Sequence, residues 1–164
     1  LAAIGSILAP LFKPLGWGNW KAAVAAITGL IAKENVVGTF GILYGFGEVA
    51  EDGVEIWGTL AASMTALAAY SFLIFNLLCA PCFAAMGAIK REMNNAKWFW
   101  FAIGYQTVLA YCVSLCVYQI GMLFTAGTFG IGTVAAFIVI VIFLYLFFRP
   151  YKESENLTVN LKAE

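Results

Sequence analysis

The chain has 164 residues, 63% of them hydrophobic and 11% charged, and 9 basic side chains balance 9 acidic ones. A mean hydropathy of +0.90 leaves too little polar surface for a water-soluble domain of this length. The neutral balance offers no basic face, which argues against a nucleic-acid partner.

The chain instead reads as all-α: a polytopic membrane helical bundle with broken, discontinuous helices. Histidine is absent, so any metal contact must come from sulfur, carboxylate, amide or backbone oxygen. The four cysteines all fall in apolar segments and read as membrane-embedded thiols rather than a secreted disulfide framework. Leu1 opens in mid-pattern, without an initiator Met or a basic leader, so the chain reads as part of a longer polypeptide.

Leu1 to Leu15 is apolar but interrupted by Pro10 and Pro14, as the end of an upstream helix or a short interfacial element would be. Gly16-Trp17-Gly18-Asn19-Trp20-Lys21 combines a flexible break, two headgroup-seeking indoles and a cation, with Asn19 as N-cap of the next helix. Segment 20–45 is about as long as a crossing, and carries Lys33, Glu34 and Asn35 at its centre. A charge at that depth costs at least ~2.5–3.5 kcal/mol on insertion scales, so such residues persist where they face a protein interior or a wet cavity. Two half-helices meeting inside the bilayer are the expected arrangement. The alternatives are two interfacial helices joined by a polar turn, or a continuous helix with a snorkelling Lys33.

Glu48, Glu51, Asp52 and Glu55 form an acidic loop, either simply solvated or an ion-attracting vestibule. Trp57 to Ile89 would run about 50 Å as one helix, longer than a crossing, so a break is expected. Pro81 divides it into arms Tyr70 to Ala80 and Cys82 to Ile89, giving a second broken segment at 70–89. Spans at 98–124 and 129–148 complete a permease region of 1–148, and 149–164 is a polar tail. Counting four crossings puts Lys13, Lys21, Lys90, Arg91, Lys97 and Arg149 on one side, the cytoplasm, with the acidic loop outside. A re-entrant first segment would instead move that loop to the cytoplasmic side.

Cys79-Ala80-Pro81-Cys82 pairs two thiols around a proline that frees the Leu77 carbonyl from its helical bond. A freed carbonyl beside a thiol suits a soft or borderline divalent cation, whereas each thiol alone is more often a small buried hydrophobe. Cys112 and Cys116 share one helix face and either pack or line the same pathway. Asn76, Gln106 and Gln119 are amides within spans, more often interhelical hydrogen-bonders than ligands. No phosphate loop, nucleophile triad or acid–base carboxylate pair is present, so the sequence supports no enzyme.

The stretches Gly16-Trp17-Gly18-Asn19-Trp20-Lys21 and Thr28 to Thr39, with its Ala32-Lys33-Glu34, resemble the second Gate segment of FeoB-type ferrous iron transporters. Phe72 to Cys82, with Ala88-Ile89-Lys90-Arg91-Glu92, is similar to that family's Pro-Cys segment, and the likeness continues to Gly121. This resemblance implies a bacterial inner-membrane, multi-pass Fe²⁺ permease with a cytoplasmic C-terminus. It also implies an N-terminal GTPase domain elsewhere in the full chain. Fe²⁺ would be the transported substrate, with no permanently bound cofactor. Implied partners are the lipid bilayer, the ferrous ion, that GTPase domain, small accessory Feo proteins and further copies in a homo-oligomer. Cys82 takes the place of the family's proposed path-lining cysteine, while Cys79 and Asn35 depart from the commoner aromatic and aliphatic or small residues. The expected path near the midplane therefore involves Cys82, Glu34, Cys79, Lys33 and Asn35. Cys82, Cys79 and Glu34 would be the metal contacts, Lys33 would pair with a carboxylate, and Cys112, Cys116 and Asn76 would lie further along. The alternatives are a Gate-type carrier of another solute such as nucleosides, or a non-transporting assembly module.

Overall fold

A computed structural model of the chain describes residues 2–47, 53–127 and 129–150, without the Glu55 side chain. The acidic loop at Glu48, Glu51 and Asp52 and the tail from Tyr151 lie outside the described residues. Helix α1 (Ala2–Phe12) leads through a 3₁₀ turn at Lys13–Leu15 to α2 (Trp20–Thr28) and α3 (Asn35–Tyr44). A second 3₁₀ turn, Val54–Ile56, precedes α4 (Trp57–Ser63), α5 (Ala66–Leu78) and α6 (Phe83–Met93). The long helices α7 (Ala96–Ala126) and α8 (Ile131–Phe148) follow. Among the described residues, the stretches long and apolar enough to cross a membrane are Ala66–Met93, Ala96–Ala126 and Ile131–Phe148. The chain is a multi-pass helical membrane protein.

Local chemistry sets the helix ends. Asn19 caps α2 as its position indicates, accepting the Ala22 N–H at 2.7 Å. The first arm of the second broken segment starts at Ala66, ahead of Tyr70, because Thr65 is extended and its hydroxyl accepts the Ala68 N–H at 3.2 Å. Asn95 opens α7 by accepting the Lys97 and Trp98 amides. In α8, Ile138-Val139-Ile140-Val141-Ile142 would favour a strand in water. In hydrocarbon every backbone group must bond within its own segment, and the helix wins.

The segment from Trp20 to Tyr44 folds back on itself. Lys21, at the start of α2, sets its ammonium 4.0 Å above the Tyr44 ring at the end of α3. Nearer the tip, the Thr28 and Thr39 hydroxyls are 2.9 Å apart. These contacts define an antiparallel hairpin with its turn at residues 29–34. Each arm is short: α2 has 9 residues, roughly 14 Å, about half the hydrocarbon thickness. Where four crossings were expected, the described residues hold three stretches long and apolar enough to cross, and segment 20–45 is a hairpin whose ends share one end of the bundle.

Against α7 the other helices take definite registers. Leu67 of α5 packs on Gly121, and Ala80 clusters with Phe99 and Ile103, so α5 runs antiparallel to α7. Between these points the fully buried Ser71 and Ser114 exchange bonds: their hydroxyls are 2.7 Å apart, and the Ser114 hydroxyl donates to the Ser71 carbonyl at 2.7 Å. Helix α8 returns antiparallel, with the Cys116 thiol donating to the Ala136 carbonyl at 3.7 Å. The Gln119 amide donates to the Pro14 carbonyl at 2.6 Å, and Tyr111 donates to the Leu11 carbonyl at 2.8 Å. These bonds hold the first turn of the chain near the C-terminal half of α7. Trp17 anchors the core there, stacked on Phe12 at 4.3 Å with the Phe72 ring set edgewise at 5.0 Å.

Basic residues consequently lie at both ends of the bundle. Lys13 and Lys21 go with the Gln119 end, whereas Lys97 opens α7, roughly 33 Å away along the helix axis. The arrangement with every basic cluster on one side does not hold, because the hairpin brings the chain back without crossing.

Candidate functional site

The two breaks meet. In the second, Pro81 has no N–H, and Cys79 and Cys82 are extended, with ψ of 172° and 159°. The carbonyls at the end of α5 must find other donors. The Cys79 thiol donates to the Asn76 carbonyl at 3.4 Å, and the Lys33 ammonium donates to the Leu77 carbonyl at 3.3 Å. In the other direction, the Phe83 N–H at the start of α6 donates to the Leu30 carbonyl in the hairpin turn at 3.1 Å. Backbone groups released by each break are thus bonded across to the other. The crossing carries helix ends of both signs: C-termini of α2 and α5, N-termini of α3 and α6.

Among the residues singled out from the sequence, Lys33, Cys79 and Asn76 come together here. The carboxamide oxygen of Asn76 rests against Gly29, where an added Cβ would lie 3.2 Å from it, and its Nδ2 donates to the Phe72 carbonyl at 2.9 Å. Asn76 therefore bonds within its own helix and packs on the hairpin turn. Cys79 is buried, Cys82 half-buried, and Glu34 and Asn35 are exposed on the hairpin tip. Lys33 takes a carbonyl as its partner. Cys116 faces α8 through the Ala136 carbonyl, away from the breaks. Among the described residues, no group of three or more Cys, Asp or Glu side chains stands close enough to hold a metal ion, Cys79, Cys82 and Glu34 included.

A cavity of about 270 Å³ opens beside the crossing, walled by Phe12, Leu30, Phe75, Cys79, Met86 and Thr107 among others. Cys79 contributes to it, and Met86, which sequence reasoning passed over, adds a second sulfur. Residues Ile103 and Thr107 mark its level on α7, between the Lys97-Trp98 end and the helix middle at Tyr111. The hairpin reaches that deep because it enters from the Gln119 end and both its arms are spent before it turns.

Residues 1–96 match the family model Gate, described as nucleoside recognition, and the chain belongs to that family. Within it, the chain is an FeoB-type Gate region. It is 43% identical to the Fe(2+) transporter FeoB of Methanocaldococcus jannaschii, over 75% of this chain and 17% of that relative. With the Fe(2+) transporter FeoB of Staphylococcus aureus strain COL the identity is 36%, over 76% of this chain and 18% of the relative. With that of Leptospira interrogans serovar Lai it is 31%, over 74% and 18%. The chain thus spans less than a fifth of the length of these relatives. No solved structure matches it.

Proposed function

We propose that this chain is part of the membrane permease of a ferrous iron uptake transporter, and that the ion passes the crossing of the two broken segments. The observation that carries this reading is the pair of cross-bonds, Phe83 to Leu30 and Lys33 to Leu77, beside the Cys79-Ala80-Pro81-Cys82 turn. Irregular backbone at membrane depth is tolerated where it is buried in protein or lines a cavity, and carbonyls without a helical partner there are natural cation contacts. The printed function of the similar proteins, Fe(2+) transport, selects the cargo. Cys82 is the principal contact, with Cys79 and Glu34 joining as the hairpin tip moves. Thiolate and carboxylate together suit Fe²⁺ better than Mg²⁺, which favours an all-oxygen shell.

Lys90, Arg91, Lys97 and Arg149 outnumber Lys13 and Lys21, so the Lys97 end faces the cytoplasm of an inner membrane and the C-terminus lies there. GTP hydrolysis belongs to an N-terminal domain of the full-length protein, and accessory Feo proteins and further copies are its partners.

Uptake of radiolabelled Fe²⁺ by cells carrying the full-length protein tests the path. Cys82→Ser and Glu34→Ala are expected to reduce uptake about tenfold or more at equal protein level. Native uptake by both variants removes these residues from the mechanism. The Gate description motivates one further arm: competition by nucleosides, with none by Mn²⁺ or Co²⁺, transfers the path to another solute.

A further inference from the structure

Lys33 has a position that sequence reasoning did not foresee. Its ammonium stands 3.3 Å from the one backbone oxygen that Pro81 releases, the Leu77 carbonyl, next to the buried Cys79. An ammonium held on a freed carbonyl at a break between helices occupies the place where a mobile cation would bind. The side chain belongs to the hairpin, and the carbonyl belongs to the crossing segment 44 residues away. We propose that Lys33 is a tethered cation that holds the Leu77 carbonyl while the path is ion-free, so that an entering divalent cation must displace it.

The inference rests on the ferrous-transport reading above. Two cations repel and cannot share one carbonyl oxygen, so ammonium and metal alternate there. Displacement frees the hairpin tip at that point, while the Phe83 to Leu30 bond and the packing of Asn76 on Gly29 still join the breaks. Four flexible carbons let the ammonium swing aside without unfolding either arm.

Three variants of the full-length protein separate charge from hydrogen bond. Lys33→Met keeps the apolar stem and removes both, Lys33→Gln keeps a donor without charge, and Lys33→Arg keeps both. The readouts are the KM for Fe²⁺ uptake and, without metal, the rate at which Cys82 reacts with a small aqueous thiol reagent. Removing the competing charge is expected to lower KM about fivefold or more in the Met and Gln variants. Arg is expected to stay near native, and labelling is expected to quicken in Met alone. An unchanged KM in Met and Gln, or Arg as altered as Met, overturns the proposal. If Lys33→Met fails to accumulate, the Gln variant decides by KM. If the native protein itself carries no Fe²⁺, the transport reading fails separately; labelling then judges the latch, and a native rate in Met overturns it.

Discussion

Single polar side chains fix one helix against another at several points here. In lipid there is no hydrophobic drive between helices, so close packing and interhelical hydrogen bonds carry association. The Ser71–Ser114 pair shows how much one hydroxyl is worth. Ser71 also donates to the Ser114 carbonyl at 3.2 Å, so truncating Ser114 leaves the Ser71 hydroxyl with a partner. Ser114→Ala is therefore expected to cost only about 0.5–2 kcal/mol, read as a small drop in the melting temperature of the detergent-solubilised full-length protein. A collapse of folding would show that the pair does more than clasp α5 to α7. Gly132 acts by absence: a Cβ there would run into the Gln119 amide, which holds the Pro14 carbonyl. The amides Asn76, Gln106 and Gln119 were legible as interhelical hydrogen-bonders, and Gln119 is one; Ser71 and Ser114 carried no such signal. The partners were not legible, because a hydrogen bond across helices depends on rotation about each axis, which composition leaves open.

The two broken segments reach their shape by different routes. The second is dictated locally, since Pro81 removes one donor and forces the preceding residue out of helical geometry. Pro81→Ala restores an N–H for the Leu77 carbonyl and favours the continuous helix by about 3 kcal/mol. Although Lys33 then loses its acceptor, closing the break carries Cys82 into a continuous helix, and its labelling rate by an aqueous thiol reagent is expected to fall. A native rate in that variant would mean that Pro81 does not hold the break open. The first segment contains no proline. Glycine and the polar triplet Lys33-Glu34-Asn35 permit a break there, and the arms' contacts, Lys21 with Tyr44 and Thr28 with Thr39, turn the break into a hairpin.

At the scale of the whole molecule, the hairpin changes which parts of the chain share a side of the membrane. Lys21 and Tyr44 lie at the end of the bundle opposite Lys97. Single cysteines replacing Lys21, Gly47 and Lys97, in a background lacking the native thiols, are expected to label from opposite sides. Positions 21 and 47 would react from one side and 97 from the other. Position 21 reacting from the same side as 97 would restore a full crossing in segment 20–45.

By itself the sequence determined what is local: the membrane-helical class, the break at Pro81, the Asn19 cap, the strain of a polar triplet in an apolar run, and the release of the Leu77 carbonyl. These follow from hydropathy, ring closure and hydrogen-bond inventory, which act over a few residues. Only the tertiary structure decided that the first segment doubles back, that Lys33 rather than another donor takes the freed carbonyl, and that the Phe83 amide is bonded to Leu30. A crossing and a re-entrant hairpin bury the same apolar residues at the same depth, so hydropathy does not separate them. Contacts between residues far apart in the chain do.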